Sequence, residues 1–143
     1  MSPAPENPPL VSVVMPCYNA EPFVAEAIRS VLTQTYPRME ILVVDDASTD
    51  GSWEVVLGLV AEFPDRVRAL RMERNRGGCN ARNRGAETVA GDYLIFLDAD
   101  DGLAPDTVAA LVDLLRANPE SVGACPWCHL ERVDGEWVQT PAS

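Results

Sequence analysis

Tyr93-Leu94-Ile95-Phe96-Leu97-Asp98-Ala99-Asp100-Asp101 is apolar for five residues and acidic in three of the next four. Such a run reads as a buried strand that ends in carboxylates. Asp98 and Asp100, one residue apart, can converge on a divalent cation, because hard ions such as Mg²⁺ or Mn²⁺ take oxygen ligands. A cation held there would in turn hold an anion, most commonly phosphate.

Working outward from this stretch, strand and helix patterns alternate. Leu10–Met15 is a short apolar run stopped by Pro16. In 21–35 the apolar residues Val24, Ala27, Ile28, Val31 and Leu32 follow helical spacing, with Pro22 suited to the first turn. Residues 40–44 form the next strand. The turn 48–52 can cap a helix running to Phe63, with Val56, Leu59, Val60 and Phe63 inward. Val67–Met72 is a third strand, and Gly77-Gly78 precedes a helix through Val89 that Gly91 ends. After Tyr93–Leu97 come a helix over 105–116, a fifth strand beginning at 121–125, and a hairpin turn at Asp134-Gly135. This alternation predicts an α/β protein whose mostly parallel sheet is covered by helices on both faces. The proline-rich residues 1–9 read as a flexible tail, 10–129 as the main domain, and 130–143 as the start of a further hairpin.

In open α/β sheets ligands bind beyond the carboxyl ends of the strands. The polar residues gather there: Pro16-Cys17-Tyr18-Asn19 after the first strand, Asp45-Asp46-Ala47-Ser48 after the second, Glu73-Arg74-Asn75-Arg76 after the third, and Asp98 to Asp101 after the fourth. Two unit charges about 4 Å apart interact by roughly 4 kcal/mol at an effective dielectric of 20. A diphosphate would meet several such repulsions beside Asp98 and Asp100, so the pattern predicts a metal-dependent site.

Composition narrows the partners. The 143 residues carry 22 acidic against 11 basic side chains, and every basic one is arginine. A net charge of −11 argues against nucleic acid and anionic membranes as direct partners. The absence of lysine removes two phosphate chemistries that require it, the phosphoacceptor receiver domain and the P-loop. No run approaches a membrane span, and the first residues lack an export pattern. The expectation is a cytoplasmic protein that can sit peripherally at the inner face of the membrane. Cys125-Pro-Trp-Cys128-His129 formally fits a redox or haem motif, but its place beside a strand and the lack of an export segment favour packed thiols. Arg74 and Arg84 read as solvated, Arg76 as open between surface and ligand, and Glu21 and Asp50 as helix-start charges. The tryptophans read as packing.

Four linked motifs, VSVVMPCYNA (11–20), SVLTQTYPRMEILVVDDASTDGS (30–52), NRGGCNARNRG (75–85) and GDYLIFLDADD (91–101), resemble those of the family 2 glycosyltransferases, which have the Rossmann-like GT-A fold. The resemblance runs from Val11 to about Val138. It implies that Pro16, Tyr18 and Asn19 form the first nucleotide-contacting loop. One carboxylate of the Asp45–Asp46 pair, preferably Asp46, would accept a hydrogen bond from the base, uracil in most members. Arg82 would lie near the diphosphate. Asp98 and Asp100 would be the DXD motif that holds Mg²⁺ or Mn²⁺. The implied reaction transfers sugar with inversion from a nucleotide-sugar, UDP-linked in most members, to a glycan or lipid-linked acceptor, as in polysaccharide biosynthesis. Family members carry a general base in a later acidic motif that nothing here matches, so the resemblance implies a chain that stops before the acceptor-binding half. It therefore leaves a nucleotide-binding module without turnover as the alternative. A sheet edge near 133–138, normally covered, would favour self-association.

Overall fold

The computed structural model describes residues 7–119, 129–134 and 136–140. Four parallel strands, β1 (Val11–Cys17), β2 (Met39–Asp45), β3 (Val67–Arg71) and β4 (Tyr93–Phe96), form one sheet in the order β3-β2-β1-β4. They alternate with helices α1 (Val24–Leu32), α2 (Ser52–Glu62) and α3 (Gly78–Thr88). The chain steps outward from β1 to β3, then returns across the sheet to lay β4 on the other side of β1. Strand order therefore reverses between β1 and β4.

Side-chain alternation sends successive residues of the two central strands, β1 and β2, to different layers. Val14, Leu42 and Val44 pack with Ala81 of α3, joined by Leu70, Met72 and Val89. Cys17 and Asp45, of opposite parity and paired in register, face the start of α2 instead. Helices thus cover both faces, as right-handed crossovers require when the order reverses. The core is dense with β-branched residues: Val11, Val13, Val14, Val43 and Val44 are fully buried. Close packing of α3 depends on Gly85, where a Cβ would lie 2.4 Å from a Val14 methyl.

Pro16 does not end β1, contrary to the sequence expectation. The strand continues to Cys17 beside β2, and the Asp46 N–H donates to the Cys17 carbonyl at 2.8 Å. What ends there is pairing with β4. The last bond of that ladder runs from the Leu97 N–H to the Val14 carbonyl. Pro16, two residues on, turns its nitrogen to the same side and has no hydrogen to give. β1 and β4 therefore part beyond Val14, and a crevice opens at the point of reversal.

α1 begins at Val24 rather than at 21, because 20–23 form a tight turn in which the Phe23 and Val24 N–H groups both donate to the Ala20 carbonyl. Its other end is tied by Gln34, whose amide donates to the Ala104 carbonyl and accepts from the Val108 N–H. Of the expected tail, Pro8 and Pro9 are held: their carbonyls accept from Arg38 and from the Tyr36 hydroxyl.

The chain divides into two compact units, Met1–Val108 and Ala109–Ser143. The second contains most of α4 (Thr107–Ala117) and an antiparallel hairpin of β5 (His129–Val133) and β6 (Glu136–Thr140). Val133 pairs with Glu136, in keeping with the expected hairpin, and Asp134 has φ 50°. The expected strand at 121–125 and both cysteines of the CxxC motif lie outside the described residues.

Candidate functional site

An open cleft of about 250 Å³ lies where β1 and β4 part. Its floor is Pro16 and Cys17, and its sides are Tyr18, Asn19, Asp46, Arg82, Asp98 and Asp100. Seven residues singled out from sequence, Pro16, Tyr18, Asn19, Asp46, Arg82, Asp98 and Asp100, thus share one cavity. Asp45 does not. It is fully buried beneath the loop, where its carboxylate accepts from the Ser48 N–H at 3.0 Å and the Ser48 hydroxyl at 2.6 Å, with Arg71 Nε at 3.4 Å.

The two neighbouring aspartates part company as successive residues at a strand end do, pointing to opposite sides, and the chain then turns at Ala47, whose φ is 60°. Asp45 points under the sheet end, and Asp46 turns toward the cleft. There the two Asp46 oxygens accept the backbone N–H groups of Arg76 and Gly77, each at 2.9 Å. Gly77 can present its N–H in this way only at φ 92°, a conformation open to glycine. A carboxylate has about four acceptor positions, so Asp46 keeps capacity for a ligand donor.

Asn19 has other work in this structure. At φ 48° it directs its Oδ1 to the N–H groups of Thr49, at 2.8 Å, and Asp50, at 3.3 Å. The loop after β1 is laced to the loop after β2 by three further bonds, from Asn19 N–H to Ser48, Ala20 N–H to Ser52 and Glu21 N–H to Asp50. Glu21 completes the seam by accepting the Gly51 N–H at 3.0 Å. The two acids expected at helix starts do stand at one, that of α2, where Asp50 accepts the Ser52 N–H at 2.9 Å, and they also bind loop to loop. The Ser52 hydroxyl, foremost, holds the Asp50 carboxyl below its usual range.

The far side of the cleft is built differently. Ala99 is buried, which turns Asp98 and Asp100 outward on either side of it. A turn closed by the Asp101 N–H on the Asp98 carbonyl at 3.0 Å brings Asp101 alongside. Oxygens of the three carboxylates lie within 4.8 Å of one another, an all-oxygen set suited to Mg²⁺ or Mn²⁺. Partial burial raises the Asp101 carboxyl, with the charges of Asp100 and Asp98 adding to it. Arg82, one turn into α3, contacts Asp98 Oδ1 at 2.7 Å.

No site role was legible in the sequence for Arg71, Ser52, Phe23 or Gly78. Phe23 and Gly78 line the cleft, and Arg71 and Ser52 hold its walls. The signal for Arg71 lay in the register, since an arginine and an aspartate end adjacent strands as the pair Asp45↔Arg71.

Comparison with known proteins agrees with this architecture. The family model "Glycosyl transferase family 2" matches residues 12–141. An uncharacterized glycosyltransferase of Haemophilus influenzae is 38% identical over 112 residues, covering 78% of this chain and 44% of its own length. The putative teichuronic acid biosynthesis glycosyltransferase TuaG of Bacillus subtilis is 36% identical over 107 residues, 75% of this chain and 42% of its own. Among solved structures, the mannosyltransferase PcManGT of Pyrobaculum calidifontis, in complex with GDP-Man and Mn²⁺, superposes with a TM-score of 0.72 at 34% identity, over 80% of this chain and 34% of that one. TarS 1–349 of S. aureus in complex with UDP gives 0.68 at 28% identity, over 77% and 33%. The chain thus spans less than half the length of the relatives it matches. No helix among the described residues is long and apolar enough to cross a membrane. On the family model and these relatives together, the chain belongs to glycosyl transferase family 2, and its sheet is that of the GT-A enzymes.

Proposed function

We propose that this chain binds a nucleotide-sugar, with uracil or guanine as the base, in a metal-dependent manner and serves its transfer with inversion to a glycan or lipid-linked acceptor. The observation that carries this reading is the single cleft bounded by Asp46 at one side and by Arg82, Asp98 and Asp100 at the other. Asp46 is an acceptor only, matched to a ring N–H of uracil or guanine. Tyr18, half exposed at the rim, offers an aromatic face beside it. Arg82 is a fixed cation for phosphate oxygens, and its guanidinium fork suits their geometry. Asp98 and Asp100 would hold a divalent cation, which when bound supplies positive charge to the departing diphosphate. The neighbours solved with UDP and with GDP-Man and Mn²⁺ support both the donor class and the metal. The name of the Bacillus subtilis relative supports a glycan acceptor.

Thermal unfolding with UDP or GDP, each with Mn²⁺ or with excess chelator, tests the reading. A ligand that binds only the native state stabilises it by about 2.7 kcal/mol at a hundredfold excess over Kd. Stabilisation is expected only with metal, and Asp100→Ala should abolish it. Equal stabilisation in chelator would refute the metal requirement, and none with either nucleotide would refute the donor site. Release of sugar from a UDP- or GDP-sugar then separates turnover from binding alone.

A further inference from the structure

We infer that Arg71 is a positioning residue for nucleobase recognition, acting through the turn that aims Asp46; this rests on the donor reading above. Arg71 ends β3, outside the cleft, and among the described residues its side chain has three partners. Its guanidinium lies over the Trp53 ring at 5.4 Å from the centroid, Nη2 donates to the Ser48 carbonyl at 3.0 Å, and Nε pairs with Asp45 at 3.4 Å. Together these grip the turn from both ends. Asp45, the residue before Asp46, is fully buried and has Arg71 as its cationic partner, while Ser48 follows the left-handed Ala47.

An alanine in the left-handed region stands against its own steric preference and persists only where its surroundings hold it. The holding groups here are Ser48, bonded to Asp45 through both its N–H and its hydroxyl, and Arg71, which fastens the Ser48 carbonyl. The Ser48 hydroxyl also accepts the Asn19 N–H, so the same clamp sets the loop that bears Tyr18. Among the described residues, no hydrogen bond or ion pair of this network runs to Arg82, Asp98 or Asp100. Loosening it should therefore disturb the base and spare the phosphates, a separation that general destabilisation would not produce.

The test compares ligands with and without a base. UDP, GDP and pyrophosphate are each titrated calorimetrically with Mn²⁺ into the wild type, Arg71→Met and Arg71→Lys. The methionine keeps an apolar stem over Trp53 and loses the charge; the lysine keeps the charge. Arg71→Met is expected to weaken the nucleotide that the wild type binds by on the order of tenfold, as loss of charged hydrogen bonds to a positioning turn implies, with pyrophosphate unchanged. Arg71→Lys should recover part of the loss. Ser48→Ala removes the same clamp from the other side, should give the same split, and decides the matter if Arg71→Met does not fold. Equal losses for nucleotide and pyrophosphate, or none for either, would overturn the inference. A wild type that binds pyrophosphate as tightly as both nucleotides would instead remove the base site itself, and the inference with it.

Discussion

Gly85→Ala and Gly58→Ala are the same chemical change in two helices, and the structure gives them opposite signs. At Gly85, in α3, the new methyl would lie 2.4 Å and 3.2 Å from the two Val14 methyls and 3.1 Å from a Val44 methyl. Carbon atoms in contact prefer about 3.5–4.0 Å, so helix and sheet must separate by roughly 1 Å. Both valines are fully buried and have nowhere to turn. Overpacking of this kind costs about 1–3 kcal/mol, and three close contacts put Gly85→Ala at the upper end. Alanine returns about 1 kcal/mol through helix propensity, leaving a net loss of about 2 kcal/mol. For a chain of this size that lowers Tm by about 6–10 °C. At Gly58, in α2, nothing lies within 4 Å, so only the propensity gain of up to about 1 kcal/mol remains. Urea denaturation followed by circular dichroism, with slopes compared to confirm unchanged cooperativity, gives both numbers. A Gly85→Ala protein as stable as the wild type would show that α3 does not rest on β1 as closely as described, and that Arg82 is carried by a looser helix.

Three further outcomes are expected. Burial, with the charge of Asp45 second, pushes the Cys17 thiol up from 9.0 to about 11. Between those values the native state keeps a proton that the unfolded chain releases, so stability falls as pH rises through the window, by roughly 3 kcal/mol in all; denaturation of Cys17→Ala across the same range should lack that slope. CDP, whose base presents a lone pair where uracil has an N–H, should bind at least about tenfold more weakly than UDP because it leaves Asp46 facing an acceptor; equal affinities by calorimetry would contradict the role given to Asp46. Asp98→Asn should shift the unfolding midpoint little, since its ion pair with Arg82 is partly exposed and such pairs contribute about 0–1 kcal/mol, yet it should remove the Mn²⁺-dependent stabilisation by UDP.

The parallel architecture was legible because each strand is an apolar run and each helix shows its own spacing. The acidic tip at 98–101 was legible for the same reason: an apolar strand has few grounds to end in three carboxylates. Other features depend on contacts between segments far apart in the chain. Asp45 and Asp46 are adjacent and chemically alike, and which of them is taken by Ser48 beneath the sheet and which by the Arg76 and Gly77 N–H groups at the cleft depends on segments that meet only in the fold. Asn19 lines the cleft, and that its oxygen is also taken by backbone groups thirty residues away is decided by the fold. The start of α1 was set too early for the same cause, because the N–H groups of Ala20 and Glu21 are held by Ser52 and Asp50. Pro16 interrupts one ladder and not the strand, a distinction that depends on which neighbour its nitrogen faces.

The two sides of the cleft are built on opposite principles, and the contrast bears on how binding must proceed. Asp46 is buried and braced by two backbone N–H groups, so its geometry exists before any ligand arrives. Asp98, Asp100 and Asp101 stand close together and exposed to varying degrees, with Arg82 against Asp98. One guanidinium against three carboxylates leaves a negative field where the diphosphate is proposed to lie. On the donor reading, neither phosphate nor cation therefore binds well alone, and each raises the affinity of the other. Linkage makes that coupling reciprocal: the factor by which Mn²⁺ tightens UDP must equal the factor by which UDP tightens Mn²⁺. Coupling of that kind arises from the exposed acidic side, while the braced side contributes the same to every base it accepts, with metal or without.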